Sequence, residues 1–155
     1  MTHQNSKRKD LDELLLTFWQ TFPPIWHATR SLTHQITIEK FGITAAQFHT
    51  LRKIWEGKTS VSVLADCMHL SRPNISRSVD ELVNMGMVER HPETKDRRAI
   101  SLSLSSQGRV LVENMHKAIG AKMKSKLSNL DYAESKAIQS GLIALRKAFV
   151  EQENS

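Results

Sequence analysis

Near its middle the chain reads Leu70-Ser71-Arg72-Pro73-Asn74-Ile75-Ser76-Arg77-Ser78-Val79-Asp80-Glu81-Leu82-Val83, which has the pattern of a short amphipathic helix. Its apolar residues have the spacing of one buried helical face, at Ile75, Val79, Leu82 and Val83. Ser71 is expected to cap the helix through its hydroxyl, and Pro73 is tolerated in the first turn, where N–H groups lack intrahelical acceptors. One face of this helix is therefore predicted to be fixed to a core.

The leading edge of this helix is polar and basic. Near its start, the residues turned away from the apolar face are Pro73, Asn74, Ser76 and Arg77. The acidic residues Asp80 and Glu81 follow further along. Because the N-terminal end also carries the positive end of the helix macrodipole, a polyanion is expected to meet the front of the helix and avoid its tail.

A second short helix is predicted just before it. Thr59 or Ser60 can cap this helix, and its expected inward residues are Val61, Leu64 and Ala65. A tight connection through residues 68–70 then leads to the amphipathic helix. Two short helices joined in this way form a helix-turn-helix pattern.

Two strands and a charged hairpin tip are predicted after the second helix. Gly86 ends that helix, and residues 87–90 and 99–104 have strand patterns, the latter with clean alternation of apolar and polar residues. Residues 91–98 between them are mostly polar and charged. Since a β-hairpin directly after a helix-turn-helix is a wing, residues 44–104 are predicted to form a winged helix-turn-helix lobe.

Further helices are predicted on both sides of this lobe, in residues 10–42 and 106–150. Pro23-Pro24 is expected to break or kink the first, because neither proline can donate a hydrogen bond and both crowd the preceding turn. Capping-box patterns begin the helix after residue 43 and the last helix of the chain, at Thr44 with Gln47 and Asp131 with Glu134. The fold class is therefore mainly α with a small β-hairpin wing.

Composition places the chain in the range of one compact domain, residues 10–155, after a polar and basic segment, residues 1–9, that is expected to be a disordered tail. The net charge is +6, but residues 51–100 carry nine Lys and Arg against seven Asp and Glu, and residues 101–155 carry eight against five. The predicted lobe is thus not the most basic part. Binding of an acidic partner by the lobe must therefore depend on the positions of the charged residues in the lobe and not on its net charge.

Several classes of site are disfavoured. One cysteine excludes an intramolecular disulfide and a multi-thiolate metal site. Cys67 is expected to pack as a small apolar residue, with a redox-sensing thiol as the alternative. The seven histidines show no spacing typical of a metal site, so no metal is expected. No apolar run has the length of a membrane span and the N-terminus lacks the apolar core of a signal peptide, which predicts a cytoplasmic protein without membrane contact.

The order of these elements and several short motifs resemble the MarR family of bacterial winged-helix transcription regulators. The matching motifs are Ile43-Thr44-Ala45-Ala46-Gln47-Phe48, Val63-Leu64-Ala65, Leu70-Ser71-Arg72-Pro73-Asn74-Ile75-Ser76-Arg77, and Asp96-Arg97-Arg98 leading to Leu102-Ser103-Leu104 and Gly108. The similarity extends over nearly the whole chain. Each motif alone is weak, but their order and spacing together are specific.

The resemblance implies a regulator that binds double-stranded DNA as a homodimer, with each recognition helix in a major groove and each wing in the adjacent minor groove. The residues expected at the major groove are Ser71, Arg72, Pro73, Asn74, Ser76 and Arg77. In the wing, Arg98 is expected to probe the minor groove and Asp96 to orient it, while Lys95 and Arg97 contact phosphates. A solvated loop with incidental charges is the alternative interpretation of this wing.

The first and last helices both carry apolar stripes outside the lobe, which is typical of a symmetric dimer. The residues expected at its interface are Leu11, Leu14, Phe18, Ile138, Leu142, Leu145 and Phe149.

A small aromatic or anionic effector is also implied by the resemblance. The residues expected to line its cleft are Trp19, Trp26, His27, Arg30, Phe48 and Arg52, since aromatic rings with arginine suit such a ligand. Alternatively, the tryptophans are simply core residues.

The function predicted is a ligand-responsive repressor that binds a pseudo-palindromic operator. A winged-helix module that binds another protein is the alternative, which the polar front of the recognition helix disfavours. The chain shows no nucleophile–histidine signature, phosphate-cradling glycine loop or metal motif. No enzyme activity and no cofactor are therefore expected.

Overall fold

The computed structural model describes the backbone of residues 2–92 and 100–150, and side chains from Lys9 onward. Six helices and one β-hairpin follow one another as α1 Thr2–Phe41, α2 Ala45–Trp55, α3 Val61–Met68, α4 Arg72–Asn84, β1 Val88–Pro92, β2 Ile100–Leu104, α5 Ser106–Lys126 and α6 Tyr132–Phe149. They belong to two compact units, Met1–Ile119 and Gly120–Ser155. The predicted fold class, mainly helical with one hairpin wing, is confirmed.

The core of the first unit lies under the helix-turn-helix. The inward residues predicted for α4 are buried, with Ile75, Val79 and Leu82 each at most 1% exposed. They pack with Leu64 and Ala65 of α3 and with apolar residues of α2, the hairpin and α5. Removal of this apolar surface from water is the main term that stabilises the lobe.

Local capping signals set most helix starts. The Thr44–Gln47 and Asp131–Glu134 capping boxes both form, and Ser60, not Thr59, caps α3 by accepting from the Val63 N–H. Ser71 occupies the N-cap position of α4, but its hydroxyl makes no capping hydrogen bond, so that part of the prediction is wrong. Since Pro73 occupies the second helical position, one of the two N–H groups that such a cap could satisfy does not exist.

Pro23-Pro24 is predicted to break or kink the first helix, and a break is excluded because α1 continues through both prolines. Each proline removes one intrahelical donor, which leaves the carbonyls of Trp19 and Gln20 without their usual partner. Both residues are exposed, so water can donate to these carbonyls. The helix also begins at Thr2, within the segment predicted as a disordered tail. The two lysines and the arginine at the end of that segment are good helix formers.

The hairpin is antiparallel, with Val88 opposite Leu104 and Arg90 opposite Leu102. The Leu102 N–H also donates to the Thr59 carbonyl at 2.7 Å, which ties the wing to the loop before α3. Ser105 joins the wing to α5, because its hydroxyl donates to the Gly86 carbonyl and accepts from the Gly108 N–H. These bonds fix the base of the wing beside the helix-turn-helix.

Candidate nucleic-acid interface

The leading edge of α4 is accessible. Five of its six predicted contact residues, Ser71, Arg72, Pro73, Asn74 and Arg77, are exposed, and Ser76 is half-buried. Between them, Ile75 is 1% exposed and anchors the start of the helix to the core. The structure therefore presents polar and cationic side chains on a helix end whose position is fixed by burial.

The turn between α3 and α4 begins with a strained residue. His69 has a φ of +52°, in the left-handed region that L-residues seldom adopt. This conformation ends α3, where the N–H groups of His69 and Leu70 donate to the carbonyls of Asp66 and Ala65. The reversal brings Ser71, and with it the start of α4, to the surface.

Polar contacts attach α4 to α2. The Gln47 side chain donates to a Glu81 carboxylate oxygen at 2.9 Å, while its own carbonyl oxygen accepts from the Thr44 N–H at 3.0 Å. One turn further along α2, the hydroxyls of Thr50 and Ser78 lie 3.3 Å apart. The capping box of α2 is therefore also linked to α4 through Gln47.

On its other side α4 is attached to the wing. A carboxylate oxygen of Asp80 pairs with the Arg90 guanidinium of β1 at 2.5 Å. Sequence reasoning missed Gln47, Asp80, Glu81 and Arg90 as partners, because local patterns carry no signal for contacts 34 or 10 residues apart. The predicted wing contacts Lys95, Asp96, Arg97 and Arg98 lie outside the described residues.

A pocket of about 360 Å³ lies between α2 and α4. Asn74, Arg77, Gln47 and Glu81 are among its lining residues. None of the residues predicted for the effector cleft lines this pocket.

The predicted effector residues occupy different environments. Trp19 and Trp26 are 67% and 55% exposed on α1, where His27 and Arg30 are also exposed. Phe48 is 3% exposed in the core. The sixth, Arg52, is half-buried on α2 and lies 3.5 Å from Glu56.

The positive charges of Arg30 and Arg52 both act on His49, a residue outside the predicted set. Burial lowers the pKa of His49, and the positive charges of Arg52, Arg30 and Lys53 lower it further. Glu56 offsets part of this charge: its hydrogen bond from Lys53 lowers the pKa of the Glu56 carboxyl. Residues Arg30, His49, Arg52 and Lys53, called the cationic cluster below, form a region of positive potential in which Arg30 is exposed and the other three are half-buried.

Two helices expose apolar stripes. On α1, exposed apolar side chains recur at Leu11, Leu14, Leu15, Phe22, Ile25 and Trp26. On α6 no residue is buried; Ile138, Leu142 and Phe149 are exposed and Leu145 is half-buried. Uncovered apolar surface on this scale is unusual for a monomeric protein.

Cys67 is exposed, so its predicted core packing is wrong. The short α3 buries Leu64 and Ala65, and Met68 at its end packs against the core instead. Within residues 2–92 and 100–150, no cluster of three His, Cys, Asp or Glu residues is placed to hold a metal ion. In the same ranges, no helix has the length and apolar character needed to cross a membrane.

One family model and several known regulators are similar in sequence to this chain. A family model described as the MarR family matches residues 43–100. The regulator YhbI of Bacillus subtilis, described as uncharacterized and HTH-type, is 30% identical over 130 residues, which cover 78% of this chain and 84% of that protein. The repressor MdtR of the same organism is 31% identical over 110 residues, 68% of this chain and 71% of that protein.

Among solved structures, a mutant MarR from Escherichia coli complexed with operator DNA matches with a TM-score of 0.65 and 22% identity. The match covers 84% of this chain and 94% of that chain. The wild-type apo form matches with a TM-score of 0.73, 23% identity, and coverage of 81% and 93%. These likenesses show a shared fold.

Proposed function

The chain belongs to the MarR family of DNA-binding transcriptional regulators, and on that premise we propose that it is a ligand-responsive repressor that binds a pseudo-palindromic operator as a homodimer. The observation that carries this proposal is the leading edge of α4, whose polar and cationic side chains are exposed on a helix anchored by Ile75, Val79 and Leu82. A helix presented in this way suits the width of a DNA major groove.

Individual contacts follow from side-chain chemistry. Asn74 and Arg77 can each make bidentate hydrogen bonds to base edges, whereas Ser71 and Ser76 suit single contacts to bases or phosphates. In the wing, Arg98 is assigned to the minor groove with Asp96 as its acceptor. Lys95 and Arg97 are assigned to phosphates, as cations that release counterions from DNA.

A second copy of the chain is the proposed cover for the apolar stripes. Leu14 on α1 and Leu142 on α6 are 56% and 59% exposed, and burial of such residues in a partner would stabilise the association. The proposed interface comprises Leu11, Leu14, Phe18, Ile138, Leu142, Leu145 and Phe149. In a symmetric dimer the two α4 helices would reach half-sites about 10 bp apart.

The cationic cluster is the proposed site for a small aromatic anion, with Trp19, Trp26, His27 and Phe48 as further lining residues. An anion there would be attracted by Arg30 and Arg52. It can release DNA only by binding the DNA-incompetent arrangement more tightly.

With benzoate as the probe, wild-type DNA affinity is expected to fall, and Arg30→Ala should remove this response.

DNA binding itself is tested by a mobility-shift assay with a duplex selected from a random library. Arg77→Ala is expected to cost about 1–3 kcal/mol of specific binding, whereas Lys122→Ala, which removes the same charge from an exposed position on α5, leaves it unchanged. If the dimer contacts about eight phosphates, log affinity should fall with log salt at a slope of roughly −7. Failure to select any duplex would favour the protein-interaction alternative.

A further inference from the structure

Two consecutive acidic residues attach α4 to two different neighbouring elements. Asp80 pairs with Arg90 of the wing at 2.5 Å, and Glu81 accepts a hydrogen bond from Gln47 of α2 at 2.9 Å. Because consecutive helical residues diverge by about 100° around the axis, the two carboxylates lie on different flanks. The buried face fixes one side of α4, and these two contacts restrain its rotation.

Arg77 lies on the helix surface between the two carboxylates. It precedes Asp80 by three positions and Glu81 by four, and these are the spacings of neighbouring side chains on a helix. Among the residues that the structure describes, Arg77 forms no ion pair. With both acids bound to Arg90 and Gln47, the guanidinium stays available to a ligand outside the protein, and its direction follows the orientation of α4.

The partners of the two acids are themselves held in place. Gln47 is 9% exposed, and its amide oxygen already accepts from the Thr44 N–H, so its amide nitrogen points at Glu81 in a fixed orientation. Arg90 lies in β1 opposite Leu102, which is 1% exposed. Both contacts therefore join α4 to elements that pack on the core of the first unit.

Acidic residues beside the leading edge of α4 are expected to weaken DNA binding electrostatically. A carboxylate that only faced solvent would repel phosphates, so its removal would strengthen binding to every DNA sequence. A carboxylate that orients the helix has the opposite effect on the preferred sequence, because its loss misaligns the base contacts. The sign of the change thus separates the two roles.

We propose that Asp80 and Glu81 are positioning residues that clamp α4 between the wing and α2 and thereby aim Arg77 at the bases. This inference rests on the proposed function, and it assigns sequence discrimination to two residues that need not touch DNA.

The test compares Asp80→Ala and Glu81→Ala with Asp66→Ala, which removes an equal charge from an exposed position on α3. Affinities are measured for a duplex selected by the wild-type chain and for a scrambled duplex of the same composition. Each of the first two variants should lose about tenfold in affinity for the selected duplex, the size of one misaligned base contact. Affinity for the scrambled duplex should rise or stay within about twofold of wild type.

One further variant and a thermal-unfolding measurement exclude a general effect on folding. Glu81→Gln keeps an acceptor for the Gln47 amide and should retain wild-type discrimination, and Asp66→Ala should do the same. Asp80→Ala should unfold close to the wild-type temperature, because a partly exposed ion pair contributes little to stability. Tighter binding of both duplexes by Asp80→Ala and Glu81→Ala would overturn the proposal.

An independent experiment measures the orientation of α4 relative to α2 from the residual dipolar couplings of their amide groups. The proposal predicts a reorientation of α4 in Asp80→Ala and Glu81→Ala but not in Asp66→Ala, and unchanged couplings in the first two variants would refute it. If the wild-type chain preferred no duplex, the proposed function would fail, while the couplings would still decide whether these residues position α4.

Discussion

His49 lies half-buried beside Arg52, Arg30 and Lys53, so protonation of its ring is unfavourable in the folded state. Burial is the larger cause of its lowered pKa, and the three cations add to it. Above the ordinary histidine pKa of 6.5 the ring is neutral in both folded and unfolded chains. As the pH falls below that value, the unfolded chain binds the proton first, and stability is lost until the folded pKa is passed.

The stability of the protein is therefore expected to decrease as the pH falls from about 7.5 to about 5.5, and His49→Gln should reduce this decrease. Urea unfolding at the two pH values measures the effect. His27→Gln, which removes an exposed histidine of α1, should keep the wild-type pH dependence. An equal loss of stability in His49→Gln and the wild type would contradict the role assigned to His49.

Gly108 lies where the start of α5 passes the backbone of Met87. A Cβ at this position would lie 2.1 Å from the Met87 carbonyl oxygen and 3.0 Å from its carbonyl carbon. Because these are backbone atoms at the base of the wing, no side-chain movement can relieve the clash. Only glycine allows α5 to pack this closely.

Gly108→Ala is expected to destabilise the protein by about 3 kcal/mol, as measured by chemical denaturation. Gly120→Ala is the matched control in the same helix, since a Cβ there meets no atom within 4 Å. That change should stabilise the helix by about 1 kcal/mol. Similar effects of the two substitutions would show that the close approach at Met87 does not constrain the fold.

At the level of helices and strands, local signals accounted for much of the fold. The capping boxes at Thr44 and Asp131 begin helices where predicted, and Gly86, with a φ of +72°, lies in the turn between α4 and the wing. These signals were readable because each depends on residues at most four positions apart. The alternation of residues 99–104 predicted β2 for the same reason.

Features that depend on distant residues were not predicted. The contacts Gln47–Glu81 and Asp80–Arg90 join separate elements, and no local pattern marks them. The continuity of α1 through Pro23-Pro24 depends on whether the freed carbonyls face solvent, which the sequence does not state. The leading edge of α4 was predictable since its exposure follows from the periodicity of one helix, whereas the cationic cluster needed α1 and α2 to be placed together.

For the whole molecule, the placement of charge matters more than its total. The net charge of +6 is not concentrated in the lobe, where residues 51–100 carry nine basic and seven acidic residues. The proposed DNA recognition therefore depends on the arrangement of Arg72, Asn74 and Arg77, with Arg98 in the wing.

The proposed dimer depends on exposed leucines of α1 and α6. Leu14→Glu and Leu142→Glu are each expected to yield monomers by light scattering, because a carboxylate cannot be buried in an apolar interface without a partner. Both residues are exposed in the single chain, so neither change should unfold it. Ile100→Glu adds the same charge at a residue that is 53% exposed on β2 and should leave the dimer intact. Dimers of both leucine variants would contradict the proposed interface.

Selection of duplexes from a random library by the full chain, followed by sequencing, tests the central claim most directly. A homodimer that reads DNA with α4 should enrich two inverted copies of one short motif, with centres about 10 bp apart. Enrichment of a single unrepeated motif, or of no motif, would contradict the claim that two α4 helices related by symmetry read the operator.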